Sequence, residues 1–335
     1  MGLDIFLLAL GLGLILLASV LFTNAIEVLG QRLGMHQGAV GSILAAVGTA
    51  LPETIIPIIA ILWVGDAAAK QVAVGAIAGA PFMLATLAFF VTGAAVVAHG
   101  AIKRRSHVMK GDVRVLSRDL SFFLVLYTAA VLATFLHDWF LPRAIIAVGL
   151  VAAYVFYIHV TLKSEAAEME DVDRLYFSRV LPNNMPVTCS QLFVSLAVMI
   201  WGGHMFVVHV EGLSAAAGLS PLVLSLILTP IATELPEKFN SVIWVGRGKD
   251  TLALGNITGA MVFQCSFPVA FGLVGTPWDL MENHGVTMVS AVLALGSALI
   301  VFLWVRLRQS LHPAVLMAGG LLYVFFIVYV LRFIH

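Results

Sequence analysis

The stretches Thr49-Ala50-Leu51-Pro52-Glu53 and Thr233-Glu234-Leu235-Pro236-Glu237 repeat one pattern, Thr-x-Leu-Pro-Glu, each time deep inside a long apolar run. A carboxylate in hydrocarbon costs about 2.5 to 3.5 kcal/mol on insertion scales, so two at matching places mark function rather than accident. Each proline also lacks a backbone N–H and displaces the carbonyl four residues back, which frees the C=O groups of Gly48 and Ala232 from a helix donor. Carboxylate, hydroxyl and bare carbonyl are all hard oxygen ligands, the set that a cation takes.

The rest of the composition fits a bilayer as solvent. Of 335 residues, 61% are hydrophobic and 11% charged, with a mean hydropathy of +1.04, against about 25% charged residues in soluble domains. The chain reads as a polytopic membrane protein whose surroundings are lipid. Lys plus Arg and Asp plus Glu number 18 each, so net charge argues against nucleic acid as a partner. Cys189 and Cys265 lie in separate apolar runs without metal or disulfide spacing and read as packing residues. The N-terminus has no basic n-region and stays apolar to about Val28, which reads as a retained first span.

At roughly 20 apolar residues per crossing, the sequence predicts ten spans, at about 3–30, 39–64, 71–99, 119–136, 141–162, 186–210, 220–246, 251–275, 285–306 and 313–334. Two polar connectors stand out, a basic one at 100–118 and an acidic one at 163–185. The connectors after spans 1, 3, 5, 7 and 9 hold 14 Lys and Arg, whereas the other side holds only Lys70, Arg143 and Arg332. By the positive-inside rule the first group is cytoplasmic and both termini lie outside, in a multi-pass protein of the cell (inner) membrane.

The halves repeat beyond the pentapeptide. Glu53 is followed by Trp63-Val64-Gly65 and Gly75-Ala76-Ile77-Ala78-Gly79-Ala80; Glu237 is followed by Trp244-Val245-Gly246 and Gly255-Asn256-Ile257-Thr258-Gly259-Ala260. Five spans separate the copies, an odd number, so the second unit enters the membrane from the opposite face. The predicted fold is therefore an all-α integral membrane protein of ten transmembrane helices in two inverted five-helix repeats. These are residues 1–162 and 186–335, joined by a cytoplasmic connector at 163–185.

Those residues resemble the calcium/cation antiporter superfamily, which contains the sodium/calcium and proton/calcium exchangers. Its repeats carry Thr-Ser-Leu-Pro-Glu followed by a Gly-Asn-x-x-Gly-Ser-Asn-like segment. The resemblance implies a central bundle of spans 2, 3, 7 and 8, broken at the motifs, past which spans 1 and 6 slide. It also implies that Glu53 and Glu237 bind the cation and that Thr49 and Thr233 contribute oxygens. This sequence departs from the pattern at four places: Ala50 and Glu234 replace the motif serine, the Asp or Asn ligand of span 8 falls at Gln264, and its counterpart in span 3 falls at Leu84. Between Gln71 and His99, span 3 offers only the hydroxyls of Thr86 and Thr92.

The candidate cation ligands are thus Glu53, Glu237, Thr49, Thr233, Gln264 and Glu234, with the carbonyls of Gly48 and Ala232. Low dielectric disfavours two ionised carboxylates side by side, so an empty site of this kind would also carry a proton. Glu234 and Lys238, four apart, can pair and neutralise each other. Asn240 and Asn256 serve either as ligands or as interhelical hydrogen-bond groups. Asn24 and Glu27 read as solvated or interfacial, His204 and His209 as structural, and Gly75, Gly79, Gly255 and Gly259 as close-packing faces. The whole reads as a secondary-active antiporter exchanging Ca2+ for Na+ or H+ by alternating access, with inorganic cations as its partners and no cofactor. An embedded hydrolase is disfavoured by the lack of His-Glu-x-x-His and Gly-x-Ser-x-Gly, and a channel by the lack of a filter loop. The orientation has a direct check. A cysteine placed at Ser106 is expected to be shielded from an impermeant thiol reagent in intact cells and labelled in inverted vesicles; labelling from outside would reverse the topology.

Overall fold

An apolar segment in lipid must satisfy its backbone internally, and the helix is the open-chain solution. In the computed structural model, which describes residues 2–33, 51–102, 109–164 and 174–334, every long element is a helix. The order is α1 (Gly2–Arg32), α2 (Leu51–Ile59), α3 (Ala67–Met83), α4 (Phe89–Ala101), α5 (Val113–Leu132), α6 (Phe140–Ser164), α7 (Met185–Ala217), α8 (Pro221–Thr233), α9 (Leu235–Gly246), α10 (Asp250–Gln264), α11 (Phe267–Gly275), α12 (Val286–Arg308) and α13 (Pro313–Ile334). Two π turns, Ala60–Val64 after α2 and Leu84–Ala88 between α3 and α4, keep spans 2 and 3 continuous. Among the described residues, eight stretches are long and apolar enough to cross a membrane, and two shorter apolar helices, Pro52–Val64 and Pro221–Ile231, complete the ten. The predicted first part of span 2 lies outside the described residues.

Helix ends follow local chemistry. Asp66, Asn184 and Ser220 each cap a helix by accepting from the backbone N–H three residues on, at 2.8, 3.1 and 3.3 Å. Span 4 starts at Val113, six residues before the predicted 119, because Asp112 caps it and accepts from Arg114 N at 2.8 Å. Span 6 runs on to Ala217, where Gly218 at φ 68° ends it in the left-handed region that glycine adopts without a Cβ penalty.

The packing has the symmetry of the repeat. Span 1 (α1) lies along span 6 (α7), and span 4 (α5) along span 9 (α12), each pair joining equivalent elements of the two halves. The other contacts come as matched sets. Span 9 packs on α3 as span 4 packs on α10; span 10 (α13) packs on α4 as span 5 (α6) packs on α11; and α2 packs on α3 as α9 packs on α10.

The connectors sort to two ends. At one end Met109 and Leu311 form an antiparallel bridge, Lys110 N donates to Asp250 Oδ2 at 2.7 Å and Asp112 N to Thr251 Oγ1 at 3.0 Å, gathering the turns after spans 3, 7 and 9. At the other, Arg143 Nη1 donates to the Thr276 carbonyl at 2.5 Å, Leu280 N to Thr134 Oγ1 at 2.8 Å and Gln71 Nε2 to Glu282 Oε1 at 2.6 Å, gathering those after spans 2, 4 and 8.

Without a hydrophobic force between helices in lipid, close backbone approach does the packing. A Cβ on Gly75 would stand 2.3 Å from the Leu222 carbonyl oxygen, and one on Gly79 2.3 Å from that of Leu226, so α3 and α8 meet backbone to backbone. Gly11 and Gly202 do the same for α1 and α7, at 2.9 and 2.7 Å from each other's carbonyls. At Gly255 and Gly259 no approach under 3.4 Å occurs among the described residues; the partner expected by the repeat, residues 38–46, falls outside them. Replacing Gly79 by Leu is expected to destabilise the protein by about 1 to 3 kcal/mol, seen as a lower melting temperature in detergent. Gly149→Ala, with nothing within 4 Å, should leave that temperature unchanged or slightly raised.

Candidate cation site

The two proline motifs act on the backbone as their chemistry requires. Pro236 has no N–H to offer the carbonyl of residue 232, and the helix of span 7 is interrupted there: α8 ends at Thr233, Glu234 sits at φ −89° and ψ 0°, and α9 begins at Leu235. Glu234 is buried. Thr233 is buried too, its hydroxyl donating to the Thr229 carbonyl at 3.0 Å, which leaves the hydroxyl oxygen able to accept. A polar ladder leads to it along one face of α8. Ser225 Oγ donates to the Val72 carbonyl at 2.8 Å and lies 3.0 Å from Thr229 Oγ1, and Ser225, Thr229 and Thr233 follow one another at i, i+4 and i+8.

In the first copy, Pro52 and Glu53 lie in α2, next to the edge of the described residues. Glu53 is 4% exposed and Thr54 beside it is also buried. Gly48 and Thr49 lie outside the described residues, as do the side chains of Ala232, Glu237, Lys238 and Asn240, so the Glu234–Lys238 pairing falls outside as well.

Span 8 carries a second interruption. α10 ends at Gln264, Ser266 turns at φ −111° and ψ −80°, and Pro268 stands in the first turn of α11. Gln264 is 3% exposed, and its amide oxygen is buried with no hydrogen-bond partner among the described residues. Asn256 Nδ2 is in the same condition. At i, i+4 and i+8, Asn256, Ala260 and Gln264 share one face of α10.

In repeat register Gln264 corresponds to Leu84 and Ser266 to Thr86, so the π turn Leu84–Ala88 of span 3 falls at the same level as the break in span 8. Span 3 is bent by this π turn and not broken, which differs from the break that the resemblance implies. Pro81 lies three residues upstream, and the wider turn absorbs the disturbance. Thr86 and Thr92 both donate to carbonyls four residues back, at 2.5 and 2.8 Å. Span 3 therefore brings no charged or amide oxygen to this level.

The four spans form one contiguous bundle: α2 touches α3, α8 and α11, and α10 touches α3, the π turn and α9. Into it the fold brings Glu53, Thr233, Glu234 and Gln264. Among the described residues no three of His, Cys, Asp and Glu come together as a ligand cluster. What is assembled is a dispersed set of oxygens at helix interruptions, chemistry suited to a hard cation that tolerates irregular coordination.

A model of the sodium/calcium exchanger protein family matches residues 3–163 and 189–334, most of the chain. The protein belongs to this family. It is a multi-pass membrane antiporter of cations, not an enzyme. Inner membrane protein YrbG of Escherichia coli K12 is 26% identical to it over 322 residues, spanning 94% of this chain and 93% of that protein. The fold is that of the H+/Ca2+ exchanger CAX, with a TM-score of 0.72 at 15% identity over 98% of this chain and 82% of that one. It is also that of the sodium-calcium exchanger NCX_Mj, with a TM-score of 0.57 at 20% identity over 97% and 98%.

Elsewhere in this exchanger the structure departs from the sequence reading at two buried polar groups. Asn24 is not solvated but 4% exposed. Its Oδ1 accepts from Gln191 Nε2 and from Tyr176 N, both at 3.0 Å, and its Nδ2 donates to the Arg174 carbonyl at 3.3 Å, tying spans 1 and 6 to the central connector. Asp119, unremarked in sequence, is 1% exposed within α5. The readings of His209 and the cysteines fit: His209 Nδ1 lies 3.3 Å from Asp4 Oδ1, and both cysteines are free. Replacing Gln264 by Leu removes a buried oxygen from the α10 face without changing the helix. It is expected to weaken apparent cation affinity about tenfold, equivalent to about 1.4 kcal/mol, as read from the half-saturating concentration in vesicle uptake.

Proposed function

We propose that this exchanger is a secondary-active antiporter that moves Ca2+ against a counter-flow of protons, by alternating access to one site between spans 2, 3, 7 and 8. The observation that carries the reading is the burial of Glu53 and Glu234 beside the motif prolines within one bundle. Buried carboxylates there can take up either a cation or a proton, and competition of the two for the same oxygens is exchange. Ligation by Glu53, Glu237, Thr49, Thr233, Glu234 and Gln264, with the carbonyls of Gly48 and Ala232, is part of the proposal. So are the division at 163–185, placement in the cell's inner membrane and termini on the outer side; the sorting of connectors to two ends supports the last.

Sodium is the second reading, favoured by the family itself. Against it stand Leu84, which cannot ligate, and the back-bonded Thr86 and Thr92, which leave span 3 without a carboxylate or amide oxygen at the level of the π turn. A site with fewer strong ligands holds fewer ions at once.

Uptake of radioactive calcium into proteoliposomes under separately imposed proton and sodium gradients tests both readings. Proton-driven uptake with a shallow sodium dependence is expected, and Glu53→Gln and Glu237→Gln should each lower the initial rate at least tenfold, about 1.4 kcal/mol, without loss of folded protein. Normal transport in both variants would sink the site assignment. A steep sigmoidal response to sodium at fixed pH would replace the proton by sodium as the coupling ion.

A further inference from the structure

Asp119 is a further intramembrane carboxylate, one that neither motif contains. It lies two turns into α5, and its two oxygens divide their partners between three spans. Oδ1 accepts from Arg118 Nε at 3.0 Å and from the Tyr157 hydroxyl of α6 at 3.1 Å; Oδ2 accepts from the Thr258 hydroxyl of α10 at 2.7 Å. The Arg118 guanidinium also sits over the Tyr157 ring, 5.6 Å from its centroid. Thr258 belongs to the Gly255–Ala260 segment of the repeat. At about 100° per residue it stands roughly 200° around α10 from Asn256, on the side opposite the face that carries Asn256, Ala260 and Gln264. At Gly259, about 100° further round, an added Cβ would stand 3.6 Å from the Tyr157 hydroxyl. The carboxylate thus grips the back of the helix whose front ends in Gln264.

The two repeats differ at this point in a way the helix breaks explain. The counterpart of Thr258 is Ala78, which has no hydroxyl, and among the described residues the side-chain contact there is from the Tyr127 hydroxyl to the Ala78 carbonyl at 3.5 Å. Span 3 runs unbroken through its π turn, so α4 continues α3 and fixes its rotation. Span 8 is cut at Cys265–Ser266, and α10 has no continuing helix to fix its own.

We propose that Asp119 is a positioning residue for the cation site: through Thr258 it sets the rotation of α10 and hence the direction of the Gln264 amide. This rests on the reading of Gln264 as a ligand given above. Thr258→Val removes the tether with little change of shape and leaves Asp119, Arg118 and Tyr157 together. It is expected to raise the half-saturating calcium concentration five- to tenfold in vesicle uptake with little change in maximal rate or melting temperature. Thr258→Ser, which keeps the hydroxyl, should restore it. Asp119→Asn combined with Thr258→Val should be no worse than Asp119→Asn alone. Tyr157→Phe, which weakens the same carboxylate anchor without touching α10, should shift half-saturation the same way by less, and serves if Thr258→Val does not accumulate. Glu53→Gln in the same assay separates the two levels. If it transports normally, the site reading fails; if it is inactive while Thr258→Val and Tyr157→Phe keep normal half-saturation, whatever their melting temperatures, the positioning role alone is overturned.

Discussion

A backbone N–H or C=O that loses its partner in hydrocarbon has no water to turn to. Prolines inside membrane spans create such losses deliberately, and in this protein their placement governs the architecture. Pro236 and Pro268 accompany breaks, Pro81 precedes a π turn, and Pro52 stands beside the buried Glu53. All four lie on spans 2, 3, 7 and 8, and those spans are the ones that contact one another in a bundle. The remaining spans are unbroken and serve as the wall that keeps lipid from the interrupted backbone.

The same constraint explains where the glycines stand. A span with a defect cannot rely on its own ladder for rigidity, so its neighbour must come close. Gly75 and Gly79 let α8 lie against α3 at backbone distance, and Ser225 then reaches the Val72 carbonyl. Likewise Gly319 lets α13 approach the π turn, where an added Cβ would be 2.6 Å from the Thr86 carbonyl oxygen. Symmetry at the level of helices therefore coexists with different local solutions. The first repeat bends a continuous span, and the second breaks it and ties the loose half from behind.

Span number and the inverted plan were readable in the sequence because hydrophobic length and a duplicated motif are one-dimensional signals. The candidate ligands Glu53, Thr233, Glu234 and Gln264 were readable for the same reason, each lying within or in register with the motif. What escaped depended on partners far along the chain. Asp119 was placed at the edge of a basic connector because the arginines around it read as solvent-facing, whereas the Asp112 cap starts the helix six residues earlier and carries it inward. Asn24 read as solvated or interfacial because nothing local shows that Gln191, 167 residues away, will cover it. The Ser225–Thr229–Thr233 ladder was legible as helical spacing, but its anchor, the Val72 carbonyl, belongs to another span.

The α1–α7 pair joins two elements of 31 and 33 residues, backbone to backbone at Gly11 and Gly202 and side chain to side chain at Asn24 and Gln191. At 1.5 Å per residue these are rods of about 46 and 50 Å, well beyond a hydrocarbon core of about 30 Å. An overlong rod leans or deforms the lipid around it, at a cost of fractions of a kcal/mol per Å of mismatch. Because the two are fused, they lean as one. Bilayer thickness therefore acts as a mechanical input on this pair, setting its inclination against the central bundle.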